Sequence, residues 1–167
     1  MPRMKPDYLE AFLRQPFIGV LATLRRDGRP YTVPVWWLLH DGSFWLSGTY
    51  ERVWCKQIAR DPRAALCIEA TGDFAGHVGL DGRIVRRELP DFDIWPISRL
   101  LAEKYVGLGD RAKQPAVEAF VANMRTEHRL LFELVPEVRR AIDMRIYRGT
   151  RADREWQAAR SDSRGGA

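Results

Sequence analysis

At 167 residues, with 46% apolar and 29% charged side chains, the chain can bury one substantial core and has the composition of an ordinary globular domain. No stretch approaches the ~20 consecutive apolar residues of a membrane span, and Met1–Leu9 lacks the apolar centre of a secretory signal, so a cytoplasmic protein with no membrane partner is expected. The net charge of +5 is almost all arginine, since only Lys5, Lys56, Lys104 and Lys113 contribute lysine to the 27 basic residues; acidic residues are interspersed and no nucleic-acid motif is present, so anionic small molecules are favoured over nucleic acid.

From the start of the chain, Tyr8, Leu9, Phe12 and Leu13 form an apolar stripe that predicts a short helix over Pro6–Gln15. Ile18–Leu24 reads as a strand and Arg25–Arg29 as a hairpin turn, where Asp27-Gly28 supplies the required conformational freedom. Tyr31–Leu39 alternates as a second strand, with Tyr31, Val33, Val35 and Trp37 on one face and Thr32, Pro34 and Trp36 on the other. Pro34 has no amide donor, so this strand needs a free side or a bulge. Trp37 is expected in the core and Trp36 on the opposite face, with Thr32 and Pro34.

After the turn at His40-Asp41-Gly42 come a third strand, Ser43–Ser47, and a helix over Glu51–Arg60, stopped by Asp61-Pro62. Arg63–Ala70 reads as a fourth strand. Thr71–Gly76 reads as a loop presenting an exposed Phe74, and His77–Glu88 as a longer fifth strand in which Asp81-Gly82 is a bulge in preference to a second hairpin. Ile97, Leu100, Leu101, Lys104 and Tyr105 recur at helical spacing, predicting a helix over Ile94–Val106 capped by Asp93. A second helix starts near Pro115 and buries Val117, Phe120, Val121 and Met124. Arg129–Val135 is the sixth strand; Val138–Ile146 also alternates, with a short helix at Glu137–Ala141 left open. Residues 1–148 are expected to form one domain, and the polar tail 149–167 to be largely disordered.

The helix after the third strand is suited to an anion. A helix N-terminus offers unpaired N–H groups, and Arg52, Lys56 and Arg60 follow one another along one stripe. Cys55 and Cys67 have neither the number nor the spacing of a metal site, and His40, His77 and His128 stand in no catalytic triad, so no catalytic or metal-binding side chain is assigned.

The run LATLRRDGRPYTVPVWW, the strand end FWLSGTY and the short helix closing in ARDPR before another strand resemble the flavin-binding split β-barrel proteins related to pyridoxamine 5′-phosphate oxidase, in particular the group of flavin- and deazaflavin-dependent reductases. The likeness rests on motifs over Pro16–Glu69 and on strand order out to Tyr147. It implies an α+β protein, a six-stranded antiparallel split barrel with flanking helices, acting as a homodimer with its cofactor in the cleft between subunits. By the same resemblance, the backbone of Thr32, Val33, Pro34 and Val35 lines the cofactor ring, while Ser47, Thr49, Arg52, Lys56 and Gln57 hold its ribityl-phosphate stem. The implied activity is hydride transfer to or from a small organic substrate, with the deazaflavin coenzyme F-420 as cofactor and FMN as the alternative. Its arginine surplus favours the deazaflavin, which adds an acidic glutamyl tail. One departure stands out: Val53 and Trp54 occupy helix positions where the family commonly carries basic residues, which favours a rival reading as a non-catalytic flavin- or haem-binding protein.

Overall fold

The computed structural model describes residues 2–162. In chain order its elements are α1 (Pro6–Arg14), β1 (Gly19–Leu24), β2 (Pro30–Val35), β3 (Trp37–His40), β4 (Ser43–Thr49), α2 (Val53–Arg60), β5 (Arg63–Ala70), β6 (Gly76–Arg87), α3 (Trp95–Ala102), α4 (Gln114–Met124), β7 (Arg129–Asp143) and α5 (Arg151–Asp162). All seven strands belong to one antiparallel sheet in the order β2-β1-β5-β6-β7-β4-β3. β2 and β3 are therefore opposite edges, yet Trp36 alone separates them in sequence. One intervening residue spans at most about 7 Å between flanking Cα atoms, so the sheet must curl until its edges nearly meet. That seam makes the sheet a split barrel.

The expected strand Tyr31–Leu39 is thus two strands, and the count is seven rather than six. No single straight strand could serve both edges. Pro34 lies on the edge strand β2, where the missing donor leaves no ladder bond unmade. Conversely, Arg129–Val135 and the alternating run after it are one strand of 15 residues, with no helix at Glu137–Ala141. The pairing passes from Asp81↔Val138 to Gly82↔Pro136, leaving Glu137 as the extra residue of a bulge on β7 opposite the Asp81-Gly82 step. Gly82 is needed there, because a Cβ would stand 2.2 Å from the Val135 carbonyl oxygen.

Inside the barrel, Leu21, Trp37, Phe44, Leu46, Ile68 and Phe132 are fully buried, each such side chain contributing about 1.5–3 kcal/mol through burial. Trp45 and Leu131 face outward from neighbouring strands, and Ile94, Ile97 and Leu101 of the α3 segment cover them as a second core. Asp93 accepts from the Trp95 amide at 3.1 Å, as its position before the helix suggested. The expected helix to Val106 instead widens at Glu103–Gly107 into a π turn, closed by Leu108 N–H donating to the Glu103 carbonyl at 3.0 Å. Phe74, expected to be exposed, is half-buried against Tyr8 and Phe17 under α1. Where polarity alone led to an expectation of disorder, Arg151–Asp162 is helical: Thr150 Oγ1 accepts from the Asp153 amide at 3.2 Å and Arg151 pairs with Glu155 at 2.6 Å. Residues 163–167 lie outside the described ones. No helix among the described residues is long and apolar enough to cross a membrane.

Candidate functional site

A cavity of about 490 Å³ opens beside the seam. Its apolar side is built by Ile18, Pro34 and Trp36 from the sheet and by Leu101, Phe120 and Met124 from the two helices laid over it. Trp36 is held rigidly. Its indole stacks on the Tyr105 ring at 4.7 Å and 2°, and lies 5.5 Å from Phe120. The Tyr105 hydroxyl accepts from the Trp37 amide at 3.1 Å and can donate to the Phe17 carbonyl at 2.9 Å, so one side chain from the π turn ties the start of β3 to the segment before β1. Burial raises the Tyr105 pKa, which keeps the phenol protonated for that task.

The opposite side is polar and cationic. Alternation along β4 puts Phe44, Leu46 and Gly48 inside the barrel and Ser47 on the outer face, where it lines the cavity. Gly48 allows α2 to approach closely, since a Cβ there would meet Cys55 Sγ at 2.5 Å and the Trp54 ring at 2.7 Å. Trp54 and Arg52, from the start of α2, and Arg129, the first residue of β7, complete this end. Ser47 Oγ, Trp54 Nε1 and Arg129 Nε are all buried without a hydrogen-bond partner. A buried donor left unmade costs roughly 1–3 kcal/mol, and here the three residues that carry one line a single cavity together with Arg52. The donor set fits a phosphate, and the aromatic wall across from it fits a planar ring; the volume lies within the range of small-molecule sites.

Of the residues singled out from sequence, Pro34, Val35, Ser47 and Arg52 line this cavity. Thr32 is exposed on the same outer face as Pro34, while Val33 points toward the interior. Thr49 lines a separate, shallower depression with Tyr50 and His128. Lys56 pairs with Glu51 at 2.9 Å, and Gln57 is buried, its Oε1 accepting from Thr23 at 2.5 Å. Arg25, Arg26 and Arg29 occupy the far end of the β1–β2 hairpin from Gly19↔Val35, and Arg60 donates to the Leu24 carbonyl. Trp54, Arg129, Phe120 and Met124 were not singled out as site residues. Val53 is exposed. Among the described residues no cluster of His, Cys, Asp and Glu could hold a metal, and burial pushes the Cys55 thiol up to about 12, leaving it unreactive.

A seven-stranded antiparallel sheet curled until its edges meet, with helices over the seam and a half-aromatic, half-cationic cavity beside it, defines a split β-barrel protein. Residues 6–138 match the pyridoxamine 5′-phosphate oxidase family, and the chain belongs to it. Similar solved structures include the conserved hypothetical protein Rv2991 from Mycobacterium tuberculosis, 22% identical with a TM-score of 0.67 over 84% of this chain and 85% of that one. An F420 reductase is 21% identical, TM-score 0.57, over 78% and 94%. An FAD-binding protein from Mesorhizobium loti is 19% identical, TM-score 0.54, over 83% and 94%. At these identities the likeness concerns the fold. No curated protein matches the chain.

Proposed function

We propose that the protein is an oxidoreductase that binds a phosphate-stemmed tricyclic cofactor, the deazaflavin coenzyme F-420 in preference to FMN, at this cavity, and uses it on a small organic substrate. The observation that carries the reading is that three residues with an unpartnered buried polar atom, Ser47, Trp54 and Arg129, line the same cavity as Trp36 and Phe120. When bound, such a cofactor supplies the hydride chemistry. The chain's own residues supply position and charge. Arg129 and Arg52 neutralise the phosphate, the Ser47 hydroxyl and Trp54 indole N–H donate to it, and Trp36, Phe120 and Met124 flank the ring and exclude water. Trp54 thereby takes over part of the role of the basic residue that the family commonly carries on this helix. The preference for the deazaflavin rests on the arginine surplus, which complements an acidic tail, and the fold is shared with a protein named F420 reductase.

Fluorescence titrations of F-420 and FMN at low and high salt test this proposal. Tighter binding of the deazaflavin, weakened by salt, is expected; tighter FMN binding would reverse the preference, and binding of neither would remove the reading. One observation favours a non-catalytic alternative: among the described residues, the lining of the cavity holds no histidine, cysteine, lysine or carboxylate that could exchange a proton with a substrate. Anaerobic hydride transfer from the reduced cofactor to an acceptor separates the two.

Assembly follows from the same surface. Val20 and Pro34 pair across β1–β2, and with Ile18 and Trp36 they form an exposed apolar strip bordering the cavity; Ile18 and Val20 are each 46% exposed. A two-fold contact would cover this strip and close the cavity mouth. We therefore expect a homodimer, and sedimentation showing a monomer at micromolar concentration would contradict it.

A further inference from the structure

The cationic end of the cavity is bordered by the shallower depression, of about 410 Å³, that Thr49, Tyr50, Glu51, Glu127 and His128 line. Chain and register join the two. Thr49 lies two residues beyond Ser47 on the outer face of β4 and pairs with Arg129 across β4–β7, Glu127 and His128 directly precede Arg129, and Tyr50 and Glu51 directly precede Arg52. A group held by Ser47, Arg52 and Arg129 thus has the depression beside it.

The depression differs from the cavity in charge, because Glu51 and Glu127 bring carboxylates to it, the first held by Lys56 at 2.9 Å and the second by Arg129 at 2.5 Å. The second pair bears on the ligand. Arg129 gives a terminal nitrogen to Glu127 and keeps its Nε buried without a partner, so Glu127 offsets one of the two positive charges that Arg52 and Arg129 bring to this end. A terminal phosphate loses its second proton at about pH 6 and is close to a dianion in neutral solution. Its second charge would be left uncompensated in a partly buried site, which is costly. A phosphate esterified on both sides carries one charge and a second substituent. The offset charge matches the first, and the depression has room for the second.

Resting on the cofactor reading above, we propose that this end selects a phosphate esterified on both sides over a terminal one, with Glu127 as the residue that discriminates and the depression as the seat of the group beyond the ester. The seat has an aromatic floor. The Tyr50 and His128 rings stack at 5.1 Å, and the Arg86 guanidinium stands 5.6 Å from the Tyr50 ring centre. An acidic tail, as on F-420, and an adenosine, as on FAD, both continue past such a phosphate.

The test uses the full chain at pH 8 and three ligands that share one ring: riboflavin, FMN, and FMN methylated on its phosphate. The methyl ester is expected to bind roughly fivefold or more tightly than FMN, the scale of one partly exposed charge, and Glu127→Gln should narrow that gap while leaving riboflavin unchanged. FMN bound as tightly as its ester, or a gap that survives Glu127→Gln, would overturn the proposal while riboflavin binding still upholds the ring site. Failure of all three to bind would remove the cofactor reading and the proposal together. Thr49→Phe, which fills the depression, should weaken F-420 or FAD about tenfold relative to FMN; a loss for F-420 assigns the seat to the acidic tail, a loss for FAD assigns it to the adenosine, and no loss for either would overturn the seat.

Discussion

Replacing Arg129 with methionine is expected to weaken binding of FMN or F-420 by roughly ten- to a hundredfold, the loss that accompanies removal of a hydrogen bond to a charged group worth about 1.5–3 kcal/mol. Riboflavin, which has the ring but no phosphate, should lose little. The Arg129 side chain is only 13% exposed, pairs with Glu127 at 2.5 Å and keeps a buried Nε without a partner. Its attraction to a phosphate is accordingly little screened. Arg52 lines the same cavity from an exposed position, so Arg52→Ala should cost less, and Lys56→Ala less again because Lys56 does not line the cavity. Parallel titrations of the variants with FMN and riboflavin make the comparison; equal losses for both ligands would place the phosphate elsewhere.

Trp37→Leu should lower the melting temperature by roughly 6–20 °C, because truncating a buried tryptophan costs about 3–5 kcal/mol and each kcal/mol moves a protein of this size by about 2–4 °C. Trp37 is fully buried, its indole N–H donates to the Phe17 carbonyl at 2.7 Å, and its face receives Lys104. All three contacts go together. Trp36→Leu should behave in the opposite way, losing ring binding with little change in melting temperature, since Trp36 is 36% exposed and packs chiefly on Tyr105 and Phe120. Thermal melts and cofactor titrations on both variants resolve the contrast. Similar melting losses for the two would mean that the wall of the cavity is part of the core.

That contrast between adjacent tryptophans was legible in the sequence, because period-two alternation assigns faces without knowing the partner strands. The same alternation concealed the break at Trp36. Inward and outward sides keep their parity across a residue at which the chain changes from one sheet edge to the other, so nothing local marks the seam. Pro136 and Glu137 had the reverse effect, giving one long strand the look of two. At the cavity, Pro34, Val35, Ser47 and Arg52 fall within a single local stretch and could be read together. Arg129 could not, since its place beside Ser47 depends on β4 pairing with β7 in the register Thr49↔Arg129. Trp54 is instructive for a different reason: read as the loss of a charge, it keeps an unpartnered indole N–H on a residue that lines the same cavity.

The seam also couples occupancy to endurance. A ligand wedged between Ile18, Trp36, Ser47 and Arg129 touches β1, the β2–β3 junction, β4 and β7 at once, so it acts as a clasp on a sheet that no hydrogen-bonded ladder closes. Because the unfolded chain offers no such clasp, ligand at a hundred times its dissociation constant adds about 2.7 kcal/mol to the stability of the fold. A cell short of the cofactor would then hold less of the protein, since the empty form opens more often and is cleared faster. Under the proposed function, the supply of the ligand would set the lifetime of the chain that binds it.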